Sequence, residues 1–136
     1  MSQRFLKFSI HVNPVPASRP RVSRWGTYYS KTYTAFRKAA PAAIEDAVTN
    51  SGVGRSDLPF SQPVECEFVF NLKRPKTTKL SHPRCDVDNL LKGIQDSIQG
   101  IIIVDDNQLL TVKGTKQWAK KGEEGSIVMK LRIVDS

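Results

Sequence analysis

Residues 86–100 read Asp86-Val87-Asp88-Asn89-Leu90-Leu91-Lys92-Gly93-Ile94-Gln95-Asp96-Ser97-Ile98-Gln99-Gly100. At about 100° per residue from Asp88, the side chains of Leu90, Leu91, Ile94 and Ile98 gather on one side. Asp88, Asn89, Lys92 and Asp96 fall on the other. The stretch predicts an amphipathic helix with Asp88 as its N-cap and Gly100 as its C-terminal stop. Asp86 reaches the same neighbourhood if the two residues before the helix are extended.

Working outward, an apolar connector, Ile101 to Val104, ends at Asp105-Asp106. A strand is expected over 108–118 and a turn over 120–125. Ile127, Met129, Leu131 and Ile133 then alternate as a last strand. Upstream, Val64, Cys66, Phe68, Phe70 and Leu72 alternate in the same way, after a loop over 51–63. Tyr33, Phe36, Ala40, Ile44 and Ala47 recur at helical spacing up to Asn50, with Pro41 expected to kink or divide that helix. Residues 13–29 hold Pro14, Pro16, Pro20 and Gly26 among arginines and read as a loop or arm. Leu6, Phe8, Ile10 and Val12 mark a first strand over 5–12. The order β-α-β-α-β-β predicts an α+β fold in one domain, 1–136. Its small mixed sheet has about four strands and carries both helices on one face. Val69 and Val128, on the other face, leave room for a modest dimer contact.

Composition narrows the function classes. With 136 residues, 39% hydrophobic and 25% charged, the chain has the make-up of an ordinary globular domain. Cys66 and Cys85 lack CxxC spacing and are joined only by His11 and His82, which argues against structural zinc and against a disulfide framework. No stretch approaches the ~20 apolar residues of a membrane span. Arg4 and Lys7 interrupt what would be a signal-peptide core. The expected setting is reducing and cytoplasmic.

The net charge of +8 is unevenly spread. Residues 1–44 contain Arg4, Lys7, Arg19, Arg21, Arg24, Lys31, Arg37 and Lys38 and no Asp or Glu. Lys73, Arg74, Lys76, Lys79 and Arg84 lead into Asp86, and Lys113, Lys116, Lys120 and Lys121 follow Asp106. Such flanking runs suit a surface that tracks phosphates. Four aspartates at the centre of that surface call for a reason, because two carboxylates about 5 Å apart repel by roughly 3 kcal/mol at an effective dielectric near 20. A magnesium ion, which prefers oxygen ligands and is shared between carboxylates and substrate phosphates, would reverse the sign.

Simpler readings stand beside this one. An Asp-x-Asp before a helix can merely cap it. Lys92 can pair with Asp88 or Asp96 for about 0.2–0.5 kcal/mol, and His82 suits a loop. Trp25, Tyr28 and Tyr29 can be packed aromatics or base-stacking ones. Two rival classes follow. One is a non-catalytic basic nucleic-acid-binding module, and the other is a different metal-dependent phosphoesterase acting on RNA or nucleotides. For a nucleotide enzyme the absence of a Walker-type glycine loop is unfavourable.

The segment from Asp86 to Lys92, followed by Asp105-Asp106-Asn107-Gln108, resembles the signature of RusA-type Holliday-junction resolvases. The Arg19-Pro20-Arg21 arm is similar to that of phage-borne members. This resemblance implies a homodimeric, magnesium-dependent endonuclease of recombination and repair, with manganese able to substitute, that cuts four-way DNA junctions in pairs of nicks. It carries the metal-holding aspartates onto Asp86, Asp88 and Asp106 and the active-site lysine onto Lys92. Asp105 is held as a second ligand or a neighbouring charge. Arg19, Arg21, Lys73, Arg74, Lys76 and Arg84 are the expected DNA contacts.

Overall fold

Alternation of large apolar and polar residues builds most of the sheet. In the computed structural model, which describes residues 5–18 and 20–134, the elements run β1 (Phe5–Ile10), β2 (Arg21–Ser23), β3 (Gly26–Tyr28), α1 (Lys31–Ser51), β4 (Val64–Leu72), α2 (Val87–Ile98), β5 (Leu109–Trp118) and β6 (Ser126–Ile133). The main sheet has the order β1-β6-β4-β5. Its β4–β5 pair is parallel and the others are antiparallel. A parallel pair needs a crossover from the end of one strand to the start of the next, and α2 makes it. The head of α2 therefore follows the C-terminal end of β4, and its foot leads back to the start of β5.

One face of the sheet is dry. Phe8, Ile10, Val64, Cys66, Phe68, Phe70, Ile127, Met129 and Leu131 are buried there in one cluster. Tyr33, Phe36, Ala40, Ile44, Ala47 and Val48 of α1 join the cluster, as do Leu90, Ile94 and Ile98 of α2. Both helices thus cover the same face, as the sequence pattern predicts. The opposite face is polar: Glu65 pairs with Arg132, and Glu67 lies 3.7 Å from Lys113. Val69 and Val128 sit opposite each other there in register.

Three details differ from the sequence reading. Pro41 neither kinks nor divides the helix, since α1 runs unbroken through it. Arg37 and Pro41 are both exposed, so the carbonyl that loses its partner at Pro41 faces water, while Ala40 and Ile44 hold the helix to the core. The N-cap of α2 is Asp86 rather than Asp88. Gly100 stops the helix as expected: one residue past the C-cap Gln99 it takes the left-handed φ of 86° that turns the chain into the connector. Finally, the arm is not all loop. It carries the two-stranded hairpin β2–β3, separate from the main sheet.

Candidate active site

The head of α2 is pinned from two sides. From β5, the Lys116 Nζ donates to the Cys85 carbonyl at 2.6 Å, just before Asp86. Gly114 lets the helix lie close, because a Cβ there would stand 3.0 Å from Leu91 and Val87 side-chain atoms. From the arm, the Ala17 amide donates to the Asn89 carbonyl at 2.9 Å. Asp86 takes extended dihedrals, and its carbonyl accepts from the amides of Asn89 and Leu90 at 3.2 and 3.3 Å. Its side chain makes no capping hydrogen bond and is exposed. Asp86 lines a cleft of ≈ 410 Å³ together with Arg84, Asn89, Ser18, Ser30 and Thr32.

The Asp105-Asp106 pair is built differently. Ile102 and Ile103 of the connector are fully buried and anchor the turn that carries it. The Phe60 amide donates to the Ile102 carbonyl at 2.8 Å, and the Val104 amide to the Phe60 carbonyl at 3.2 Å. Gln108 locks the turn. Its Oε1 accepts from the Val104 and Asp105 amides, both at 2.8 Å, while its Nε2 donates to the carbonyls of Phe60 and Gln62 at 2.8 and 2.9 Å. Asp105 caps the short 3-10 turn Asp106–Gln108 by accepting from the Asn107 amide at 2.9 Å. The Asp106 amide donates to Gln99 Oε1 at 3.3 Å, which ties the pair to the foot of α2.

The carboxyl of Asp106 has a raised pKa. The main cause is a hydrogen bond with the Asp105 side chain, followed by slight desolvation and the charges of Asp105 and Asp96, with Lys92 opposing. Lys92 and Asp96 form an i,i+4 pair at 3.9 Å. Asp88, Lys92 and Asp96 therefore descend one exposed side of α2 toward the Asp pair. The rise from Asp88 to Asp96 is about 12 Å for an α-helix. Asp86 and Asp88 stand at the head, Asp105 and Asp106 at the foot, and Lys92 between them. Sequence reasoning read Asp96 as a surface or helix-pairing residue, which its pair with Lys92 bears out, but passed over Lys116, Gln99 and the locking role of Gln108. Lys116 in particular reads as one of a basic run yet bonds inward to the Cys85 carbonyl.

Among the described residues, no three of His, Cys, Asp and Glu converge closely enough to hold a metal ion by themselves. The donors nonetheless suit a hard cation, being exposed carboxylates without a competing cap at Asp86 and with mutual repulsion at Asp105-Asp106. Magnesium is typically held by only one or two protein carboxylates together with substrate phosphates. The residues fit an ion of that kind shared with DNA.

Of the expected DNA contacts, Lys73, Arg74 and Lys76 border a cleft of ≈ 690 Å³ together with Lys121, Glu123 and Glu124. Lys73 pairs with Glu124 at 3.0 Å on its rim. Arg84 lies apart from these, in the cleft beside Asp86. Arg21 belongs to β2, and Arg19 lies outside the described residues. Among the described residues, no helix is long and apolar enough to cross a membrane. In comparison with known proteins, a family model described as Endodeoxyribonuclease RusA matches residues 11–130. No curated protein matches the chain significantly.

Proposed function

Because this chain belongs to the RusA family of endodeoxyribonucleases, we propose that it resolves four-way DNA junctions by magnesium-dependent, paired hydrolysis of phosphodiester bonds, as recombination and repair require. The observation that carries this reading is the line of exposed aspartates along α2 with Lys92 among them, in a chain of net charge +8. Asp86 and Asp88 at the head of α2, and Asp106 at its foot, would hold divalent metal shared with DNA phosphates, with Asp105 as a further ligand or an orienting neighbour. A bound Mg²⁺, or Mn²⁺ in its place, would polarise the phosphate and make water a better nucleophile.

The chain's own groups do the rest. The Lys92 ammonium, released from Asp96, would meet a phosphate oxygen and offset charge that grows in the transition state. Arg84 beside Asp86 holds the adjoining phosphate. Lys73, Arg74, Lys76 and Lys121 follow the backbone farther out, joined by Arg19 and Arg21 of the arm. The active unit is a homodimer, since two nicks related by the junction's symmetry need two sites.

The test is incubation of purified protein with a labelled four-way junction, a matched duplex and a single strand, with and without magnesium. Symmetric nicks in the junction that require the metal are expected. Binding without cleavage would instead identify a non-catalytic basic module, and preferential cutting of RNA or nucleotides a different phosphoesterase.

A further inference from the structure

Val22 and Trp25, on the β2–β3 hairpin, are 83% and 85% exposed, the highest values among the described large apolar side chains. The neighbouring aromatic Tyr29 behaves differently. It packs against the core, with its ring 5.4 Å from that of Tyr33 and the Arg37 guanidinium 4.9 Å away. One aromatic of the arm is thus spent on packing, and Trp25 is not.

The tip is also held in shape. The Trp25 amide donates to Ser23 Oγ at 3.1 Å, Ser23 Oγ donates to the Gly26 carbonyl at 3.3 Å, and Gly26 takes a φ of 125° that suits glycine. The base of the arm is fastened to the head of α2 through Ala17 and Asn89, and Ser18 and Ser30, on either side of the hairpin, line the same cleft as Asp86. The arm's charge points to a polyanion, because no acidic residue occurs among residues 1–44 and Arg24 lies 5.1 Å from the Trp25 ring. A cation against one face of an indole leaves the other face for a nucleobase.

We propose that Trp25 is a base-stacking element that engages unstacked bases at the crossover of branched DNA, an inference that rests on the nucleic-acid reading above. Bases inside a duplex are already stacked, and removing one costs a few kcal/mol, least where pairing is already disturbed. A tip that offers a ring to bases therefore gains most where strands exchange. Trp25 acts in binding and in discriminating junction from duplex, not in hydrolysis.

The test compares the parent protein with Trp25→Ala and Trp25→Phe, without divalent metal so that nothing is cut. Affinities are measured for a four-way junction and a matched duplex, and 2-aminopurine at the crossover reports stacking. Trp25→Ala should weaken junction binding about tenfold, in line with the loss of one stacked base. It should leave duplex binding unchanged and abolish the 2-aminopurine response, and Trp25→Phe should recover most of both. Unchanged junction affinity with the response intact in Trp25→Ala would overturn the proposal, as would equal losses on junction and duplex. Loss of self-association by sedimentation with DNA binding intact would give the tip to a second copy of the chain and overturn it too. A parent protein that binds neither DNA would overturn the nucleic-acid reading itself.

Discussion

An aspartate at a helix N-cap normally contributes about 0.5–2 kcal/mol by accepting a bond from the first turn, and Asp86 occupies that position without making the bond. Neutralising it should therefore spare the fold. Asp86→Asn, Asp88→Asn and Asp106→Asn are each expected to melt close to the parent, bind junctions as well or slightly better, and lose nearly all cleavage in magnesium. A folded Asp86→Asn protein cutting at the parental rate would refute its role as a metal ligand. Cys66 presents the opposite case, a group whose chemistry burial suppresses. Desolvation pushes its thiol from 9.0 up to about 12. The folded state thus favours the protonated form, and this contribution to stability is complete below pH 9 and is lost as pH rises toward 12. Native protein at pH 8 should show no reaction of Cys66 with a thiol reagent until denaturant is added. Ready labelling of Cys66 in the folded protein would contradict this burial.

The Asp105-Asp106 turn depends on partners distant in sequence. Gln108 Nε2 reaches the Phe60 carbonyl across a separation of 48 residues while its Oε1 serves two amides of the turn. Net hydrogen bonds contribute roughly 0.5–1.5 kcal/mol each, and part of the lost bonding at an exposed turn returns through water. Gln108→Ala should therefore lower stability by about 1–3 kcal/mol. Its larger effect should be on cleavage, reduced more than about tenfold, since misplacing reacting groups by about 1 Å can cost 10²-fold. Denaturant melts and single-turnover cutting separate the two effects. Full activity in Gln108→Ala would mean that the turn needs no such lock. The buried Ile102 and Ile103 serve the same element from below, so the aliphatic connector anchors the Asp pair rather than simply spacing it.

At the scale of the whole molecule, the dry face of the sheet is fully used by α1 and α2, while the other face carries ion pairs around the small Val69–Val128 contact. Paired incision still asks for two sites, because each chain has a single set of aspartates. Wild-type chains mixed with Asp86→Asn chains on a supercoiled cruciform should produce mixed dimers that nick one strand and stall. Nicked circles are then expected to accumulate at the expense of linear product. Efficient linearisation by mixed dimers, or a monomer that binds and cuts junctions, would rule out paired incision.

What the sequence by itself determined was periodic or local. The apolar side of α2, the alternation of β4 and β6 and the Asp86 to Lys92 signature all arise within a turn or two of chain, where 3.6- and 2-residue repeats are legible. So were the α+β class and the family. Tertiary structure alone decided that Asp105-Asp106 stay at the foot of α2, because that depends on the parallel β4–β5 crossover. It also turned Lys116 inward to the Cys85 carbonyl and kept α1 whole through an exposed Pro41. In the arm it separated a packed Tyr29 from an exposed Trp25. Each of these outcomes rests on contacts between residues far apart in the chain, whose energies leave no repeat in the sequence.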